Sequence, residues 1–350
     1  MQNVSTVVLG SGFWGSEWLR VLSEIEAVEI AGTAGGRDPQ IPDGAPLAAG
    51  YAHHRDYKDA IDHVDADAVI IALPTPLHPD AIVRSLDAGR HVLCEKPLSP
   101  DAEQTATLLE AAARHPDLVA MVGQNYRRRP WAELVRSKIA DGTVGKLGHI
   151  AVRFRQPEMP LGVRAALDNP LLQDMGIHHM DLIRYLAGRN AVELYARQYR
   201  PFWSEFRGNP GMDAIITLED DIQVSYSGSW AGRGRATSWD GDWLIEGDRG
   251  LLTVTDLEVA FYPKVDNDPS TTDTPVSEPL PIEVPELPLG DLQATFQNFR
   301  RAIETGEEPE TSIRDNAHSV AMVFAAEEAI RQGRPVAVES WREVSAAAAG

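Results

Sequence analysis

The sequence contains very little cysteine and very little lysine. Cys94 is the only cysteine in 350 residues, which excludes disulfides within the chain and metal sites built from several cysteines. Positive charge comes almost wholly from arginine, so a lysine inside a motif is noteworthy. The five lysines are Lys58, Lys96, Lys138, Lys146 and Lys264.

The sequence also lacks net positive charge and long hydrophobic runs. The formal net charge is −20, so we expect most of the surface to repel nucleic acid and anionic membranes. No apolar run is long enough to span a bilayer, and the N-terminus has no basic segment followed by an apolar one. We therefore expect a cytoplasmic protein whose partner is a small molecule.

The first third of the chain alternates strand and helix patterns. Its strand candidates are short, almost entirely apolar runs, which are typical of a parallel sheet covered by helices on both faces. Residues 1–124 are therefore predicted to form an α/β domain with a doubly wound parallel sheet. The strand candidates are residues 4–9, 28–33, 68–73, 91–94 and 118–122.

The pattern changes after about residue 124. Short strand patterns separated by turn signals occur between residues 149 and 262, and a helix over residues 173–186 interrupts them. Residues 125–350 are predicted to form an α+β domain with a large, open, mainly antiparallel sheet. Two helices close the chain, and we expect that they can pack back on the first domain.

A glycine motif follows the first predicted strand. Residues 10–15 read GSGFWG, a G-x-G-x-x-G pattern that opens the first helix. Glycines at these places allow a tight turn and let main-chain N–H groups approach a pyrophosphate at the helix N-terminus. A glycine-rich turn without a ligand is the alternative, but the position after the first strand favours a dinucleotide. The predicted cofactor contacts are Gly10, Gly12, Phe13 and Trp14.

The end of the second strand indicates which dinucleotide is bound. An acidic residue usually contacts the ribose 2′-hydroxyl there, about 20 residues after the glycine motif. This chain has Gly36-Arg37-Asp38, which leaves room for a 2′-phosphate and offers Arg37 to bind it. The pattern favours NADP over NAD, although Asp38 is the ribose ligand if the register differs by a residue or two. A solvated loop charge is the other interpretation of Arg37.

Two further motifs carry groups that can move a proton. Lys96 lies in a Glu-Lys-Pro sequence at the carboxyl end of a predicted parallel strand, where open α/β sheets bind ligands. On the predicted helix 173–186, Asp174 and His178 are i,i+4 neighbours, an arrangement that holds a general base in one tautomer. A metal site or a capping network of ion pairs remains an alternative for this helix. His179 points elsewhere, and we expect it to be a packing or interface residue.

Together these motifs resemble the glucose–fructose oxidoreductase and inositol dehydrogenase family, known as Gfo/Idh/MocA. Besides the glycine motif, the resemblance rests on LPTPLH at residues 73–78, EKP at 95–97 and D-x-G-x-H-x-x-D at 174–181. Residues 314–316 and 333–336 are similar to the closing helix and strand of the family. One departure is the sequence of residues 168–172, where many members have paired glycines, and this puts the substrate preference in doubt.

The resemblance implies roles for individual residues. Lys96 and His178 would be the catalytic pair, Asp174 would orient the site, and the Lys96–Pro97 peptide bond would be cis. Residues along the cofactor would be Pro74, Thr75, His78, Glu95, Lys96 and Gln124. Substrate contacts would come from Lys96, Tyr126, Arg127, Arg164, Asp174 and His178.

The predicted activity is NAD(P)-dependent hydride transfer at a ring carbinol carbon of a sugar, sugar derivative or cyclitol. One alternative is an enzyme that retains its cofactor and oxidises a glycoside transiently in order to cleave it. Another is a nicotinamide-binding regulator without turnover, although such a protein would not need Lys96, Asp174 and His178 together. Because helices are available for one face of the open sheet, we expect the other face to pair in a homodimer or homotetramer.

Overall fold

The computed structural model describes residues 3–160, 165–266 and 276–340. By its internal contacts the chain divides into two compact units. Of the described residues, the first contains 3–128, 289–320 and 340, and the second contains 129–160, 165–266, 276–288 and 321–339. Within the described ranges, no helix is both long enough and apolar enough to cross a membrane.

The first unit is built on a six-stranded parallel sheet with the order β3-β2-β1-β4-β5-β6. The predicted parallel sheet is therefore confirmed. Helices lie in most of the connections between its strands, as the alternating strand and helix pattern of the sequence predicts. The strands are β1 (Val4–Leu9), β2 (Val28–Ala34), β3 (Leu47–His54), β4 (Ala68–Ile71), β5 (His91–Cys94) and β6 (Ala120–Val122). The helices are α1 (Phe13–Ser23), α2 (Tyr57–His63), α3 (His78–Asp87) and α4 (Ala102–Arg114).

The core of the first unit joins this sheet to a helix from the end of the chain. Trp18 and Leu22 of α1 pack with Phe296 and Phe299 of α7 (Asp291–Thr305) in one buried cluster. Local capping fixes where helices start: the Asp101 carboxylate accepts the Gln104 N–H at 2.8 Å at the beginning of α4. Because β1, β4, β5 and β6 are parallel neighbours, their carboxyl ends lie at the same edge of the sheet.

The second unit contains a nine-stranded sheet with the order β14-β13-β12-β11-β7-β10-β9-β8-β15. Every neighbouring pair is antiparallel except β7 and β10, which are parallel, so the predicted open, mainly antiparallel sheet is confirmed. The strands are β7 (Leu147–Arg155), β8 (Ala191–Tyr199), β9 (Gly211–Leu218), β10 (Gln223–Ser229), β11 (Asp242–Gly247), β12 (Gly250–Thr255), β13 (Glu258–Pro263), β14 (Leu280–Ile282) and β15 (Val336–Ala337).

The strands of this sheet bury one face. In β7, Ile150, Val152 and Phe154 are buried and alternate with more exposed residues, which is the period expected for a one-sided sheet. The buried side carries α5 (Pro130–Ala140) and α6 (Ile177–Ala187), and α6 follows directly on a π-helical segment, Leu171–Gly176. The helix α8 (Ile313–Gln332) contributes residues to both units.

Candidate functional site

The three glycines of the GSGFWG motif have three different environments. Gly10 has φ +119°, and a Cβ there would lie 2.2 Å from the carbonyl oxygen of Ala72. A Cβ on Gly15 would lie 1.9 Å from the carbonyl oxygen of Gly10, so this glycine permits close packing of helix on strand. A Cβ on Gly12 would meet no atom within 4 Å. The loop therefore has the tight turn, the close helix packing and the open space that a dinucleotide pyrophosphate requires.

Phe13 and Trp14 follow in the first turn of α1, where both side chains are exposed and their rings meet edge to face at 5.2 Å. They lie at the helix N-terminus, where a pyrophosphate is stabilised by main-chain N–H groups and by the helix dipole. Their position is therefore consistent with the predicted contact to a cofactor.

A second arginine, which the sequence patterns do not indicate, reaches the turn after β2 from the end of the neighbouring strand β3. Arg37 and Asp38 are exposed, and the Arg37 N–H donates to Ser11 Oγ at 3.1 Å, which ties this turn to the glycine motif. Arg55, directly after β3, donates to the Gly36 carbonyl at 2.7 Å and to Asp38 Oδ1 at 2.9 Å. Arg37 and the exposed ion pair of Arg55 with Asp38 thus lie at the turn where the adenosine ribose is expected.

His78 holds the turn after β4 to the turn after β5. Its Nε2 lies 2.8 Å from the Leu73 carbonyl oxygen, and its Nδ1 lies 2.9 Å from the Pro97 carbonyl oxygen. The side chain is buried, and burial lowers the pKa of the imidazole. A neutral ring has one N–H and donates to one of these two carbonyl oxygens, and the contacts place His78 between the turns after β4 and β5. Pro74 and Thr75, which are more exposed, begin the short helical turn before it.

The Lys96–Pro97 peptide bond is cis, as predicted. Lys96 is half-buried at the carboxyl end of β5. The preceding Glu95 is buried, and its Oε1 accepts the indole N–H of Trp18 at 2.8 Å. Burial raises the pKa of Glu95, while the positive charge of Lys96 and the Trp18 hydrogen bond oppose that rise. Cys94 is also buried, which raises the pKa of its thiol and supports a packing role.

The raised pKa of Glu95 gives a prediction about stability. Folding favours the protonated carboxyl, so the contribution of Glu95 is most favourable below its unfolded pKa and is lost as the pH rises through the folded pKa. We expect the free energy of unfolding of wild type relative to Glu95→Gln to increase as the pH falls from 7.5 to about 5. Each unit of pKa elevation corresponds to about 1.4 kcal/mol. Urea denaturation at several pH values measures this difference.

The exposed Glu110, in the middle of α4, supplies the matched control. The free energy of unfolding of wild type relative to Glu110→Gln should stay constant over the same pH range. A constant difference for Glu95→Gln as well would contradict the raised pKa.

The segment after β6 contains a buried amide and a buried guanidinium. Gln124 is 1% exposed, and neither its amide oxygen nor its amide nitrogen has a hydrogen-bond partner among the described residues. Such a side chain is suited to the carboxamide of a nicotinamide, because unsatisfied buried polar atoms are costly. Tyr126 is buried, and so is Arg127, which donates to Asp315 Oδ2 at 2.6 Å and to the Glu310 carbonyl at 3.1 Å. These bonds favour a structural role for Arg127, and the predicted substrate contact stays a prediction.

In the second unit, Asp174 and His178 lie on consecutive helical segments. The residue pattern predicts a single α-helix here, but Asp174 belongs to the π-helical segment and His178 to the first turn of α6. A π turn holds more residues than an α turn, so the angular relation between the two side chains differs from the predicted i,i+4 pair. His178 is buried and Asp174 is half-buried. Single π turns occur frequently at functional sites.

His179 is a packing residue, as predicted. It is completely buried, with Nδ1 3.0 Å from the Tyr226 hydroxyl and Nε2 3.4 Å from the Trp239 carbonyl oxygen. Burial lowers its pKa to about 4, so the ring is neutral at physiological pH. Asp181, on the same helix, is also buried and lies 3.9 Å from the Arg184 guanidinium.

The described ranges contain no group of three acidic, histidine or cysteine side chains that could hold a metal ion. Arg164 lies outside the described residues. The remaining candidates form two groups, one in each unit. The first unit carries the glycine loop, Arg37, Lys96 and Gln124, and the second carries Asp174 and His178.

Family models match both parts of the chain. Residues 4–124 match the oxidoreductase family with NAD-binding Rossmann fold, GFO/IDH/MocA, and residues 133–253 match the GFO/IDH/MocA C-terminal domain. The glycine loop, Arg37, Lys96 and Gln124 lie within the first match, and Asp174 and His178 lie within the second. Two independent matches in the expected order cover most of the chain.

Individual relatives extend over nearly the whole chain. The inositol 2-dehydrogenase of Rhizobium meliloti is 26% identical, with 91% of this chain and 96% of the relative covered. The D-apiose dehydrogenase of Paraburkholderia graminis is 27% identical, with 95% and 89% covered. Among solved structures, an oxidoreductase domain protein from Kribbella flavida has the same fold, with a TM-score of 0.81, 20% identity, and 97% and 100% covered. The chain is therefore an enzyme of the oxidoreductase class and belongs to the Gfo/Idh/MocA family of NAD-binding proteins.

Proposed function

We propose that the protein is an NAD(P)-dependent dehydrogenase or reductase that acts on a ring CH–OH group of a sugar, sugar derivative or cyclitol. The observation that carries the proposal is the placement of Lys96, whose turn is fixed by His78 and Glu95 at the same sheet edge as the glycine loop. Relatives named for inositol, apiose and levoglucosan support a polyhydroxylated ring as the substrate.

The bound nicotinamide would supply the hydride acceptor or donor. In the oxidation direction, we propose that His178 takes the hydroxyl proton while Lys96 donates a hydrogen bond to the developing alkoxide oxygen. Asp174 would orient these groups and bind a neighbouring substrate hydroxyl. Either Lys96 or His178 could carry the proton, because an amine and an imidazole can both act as general acid–base groups.

A substrate screen tests the proposal. Purified protein would be incubated with free sugars, cyclitols, sugar acids and glycosides, each with NAD and with NADP, while the absorbance of the reduced cofactor is followed. We expect steady cofactor reduction with at least one polyol substrate. Glycoside cleavage without net reduction would identify a cofactor-retaining enzyme, and cofactor binding without turnover of any compound would favour the regulator.

We further propose that NADP is preferred, with Arg37 and Arg55 binding the 2′-phosphate. Arg37→Ala should weaken NADP binding by about 1–3 kcal/mol, the range for a lost charge-assisted hydrogen bond, and should leave NAD binding nearly unchanged. Arg55→Ala should also weaken NADP binding, because it leaves the Asp38 carboxylate beside the phosphate without its partner. Calorimetric titration with both cofactors measures these affinities.

Arg114→Ala, which alters an exposed arginine at the end of α4, is the control and should change neither affinity. Equal losses for NAD and NADP in the Arg37 variant would contradict the assignment, and so would a wild type that prefers NAD tenfold.

We also propose that the protein is a homodimer or homotetramer. On the nine-stranded sheet, Ile215 of β9 and Leu244 of β11 are exposed on the outward face, and two-fold pairing of such a face would cover them. Light scattering at micromolar concentration should give two or four times the chain mass. Ile215→Arg should lower that mass, and a monomeric wild type would refute the proposal.

A further inference from the structure

The exposed tryptophans of the described chain are concentrated at two places. Trp18, Trp131, Trp230 and Trp243 are fully buried, which leaves Trp14 in the dinucleotide loop and two others in the second unit. Those two are Trp203, 39% exposed, and Trp239, 37% exposed, and the neighbouring Phe202 is 94% exposed. Clustered exposed aromatic side chains forgo the stabilisation of burial and commonly mark a binding surface.

The loop that carries Phe202 and Trp203 is fixed by hydrogen bonds at several points. The Glu158 carboxylate accepts the Ser204 hydroxyl and the Glu205 N–H, the latter at 2.8 Å. The Arg200 guanidinium donates to the carbonyl oxygens of Ser204 and Phe206, each at 2.7 Å. The exposed aromatic rings therefore stand on an ordered loop, which lowers the entropy cost of binding a ligand there.

Contacts also join the loop of Phe202 and Trp203 to the following loop, which carries Arg233 and Trp239. The Trp203 indole N–H donates to the Ala231 carbonyl at 3.0 Å, and the ring of the adjacent Trp230 lies 5.8 Å from that of Trp239. The Arg233 guanidinium lies over the Trp203 ring, 5.9 Å from its centroid. Phe202, Trp203 and Arg233 thus form one surface patch, which we call the aromatic subsite.

The aromatic subsite is attached to the helical segment that carries Asp174 and His178. The Asn209 N–H at the end of the first loop donates to the Asp168 carbonyl at 2.9 Å, shortly before the π-helical segment. The Trp239 carbonyl oxygen accepts from His179 Nε2 at 3.4 Å, one residue after His178. The two loops are therefore held beside the proposed catalytic helix within the same unit.

Carbohydrates match the chemistry of this patch. The apolar C–H face of a sugar ring packs on the electron-rich face of an aromatic ring, while guanidinium groups donate to ring hydroxyls. We propose that the aromatic subsite binds a second sugar ring, so that the substrate is a disaccharide or another glycoside rather than a free monosaccharide or cyclitol. This inference rests on the proposed function, because it names the substrate class of the same enzyme.

Ligand-observed NMR tests the inference without requiring turnover. Saturation-transfer difference spectra would be recorded with maltose, cellobiose, trehalose and sucrose, and with glucose and myo-inositol as one-ring counterparts. Phe202→Ala is the main variant, since a side chain that is 94% exposed contributes little to folding, and Trp203→Ala is the second. Leu280→Ala, on the edge strand β14, removes a half-exposed apolar side chain elsewhere and is the control.

We expect at least one disaccharide to bind wild type and the Leu280 variant, and to lose about tenfold in affinity in the Phe202 and Trp203 variants. The affinities for one-ring compounds should change less than twofold.

Disaccharide affinities that are the same in all four proteins would overturn the inference, as would the absence of disaccharide binding. A lower oligomer mass in the Phe202 variant would also overturn it, because the patch would then be a contact between copies. If disaccharides bind but no compound reduces the cofactor, the proposed function fails while the subsite stands.

Discussion

Replacing either Lys96 or His178 by alanine should reduce kcat on a verified substrate by about 10²–10⁴-fold, the usual contribution of general acid–base catalysis. The expected loss is in turnover, because each side chain is proposed to act on the reacting hydroxyl group. Cofactor affinity should change little, since the glycine loop and the end of β2 are left intact. Steady-state kinetics together with calorimetric cofactor titration separates the two effects.

Two controls make this result specific. Lys138→Ala removes a lysine that pairs with Asp141 on the surface and should leave kcat unchanged. His179→Asn changes the neighbouring buried histidine, which lies against Tyr226, and should reduce stability more than the chemical step. If the Lys96 and His178 variants both keep more than about a tenth of the wild-type rate, the proposed catalytic pair is wrong.

Alanine at Gly12 and at Gly10 should separate cofactor binding from folding. A Cβ at Gly12 meets no protein atom but enters the space that a pyrophosphate would occupy, so we expect cofactor affinity to fall about 100-fold, roughly 2.7 kcal/mol. A Cβ at Gly10 meets the Ala72 carbonyl oxygen in a left-handed backbone conformation, so we expect a loss of several kcal/mol in unfolding free energy. Urea denaturation and calorimetric titration of both variants provide the comparison.

Gly148→Ala is the matched control, because its Cβ also meets nothing within 4 Å and it lies on β7, outside the glycine motif. It should change neither stability nor NAD affinity by much. A Gly12 variant that binds the cofactor like wild type would contradict the placement of the pyrophosphate on this loop.

The sequence predicts the architecture well where local patterns are strong. Uniformly apolar runs such as residues 68–71 become central strands of the parallel sheet, and the alternating residues of β7 become one buried and one exposed face. The glycine motif is identifiable for a similar reason, because its spacing reflects three separate steric requirements on the main chain.

Edge elements were missed because their identity depends on neighbours. The sequence of β3, LAAGYAHH, has small residues and two histidines, and it becomes a strand through pairing with β2 at the edge of the sheet. Without β3, the sequence gives no reason to place Arg55 beside Asp38. The π-helical segment at Asp174 was likewise unpredictable, since no local residue pattern distinguishes it from the start of an α-helix.

Long-range polar contacts are another kind of feature that no local sequence pattern predicts. Trp18 and Glu95 are 77 positions apart in the sequence, and their hydrogen bond exists because α1 and the end of β5 meet in the folded unit. His78 is predicted to lie along the cofactor, and no sequence pattern indicates that its ring also lies between two turns of the main chain. Both contacts position the Lys96 turn, so they are part of the candidate site although neither residue has to touch a substrate.

The most direct test of the proposed dehydrogenase is the transfer of deuterium from substrate carbon to cofactor. A substrate found in the screen would be labelled with deuterium at its carbinol carbons, and the nicotinamide ring of the reduced cofactor would be analysed by NMR and mass spectrometry. We expect one deuterium per reduced cofactor with wild type, and a transfer rate lower by about 10²-fold or more with Lys96→Ala. Reduced cofactor without deuterium, or product formed without any reduced cofactor, would contradict net hydride transfer at a ring carbinol carbon.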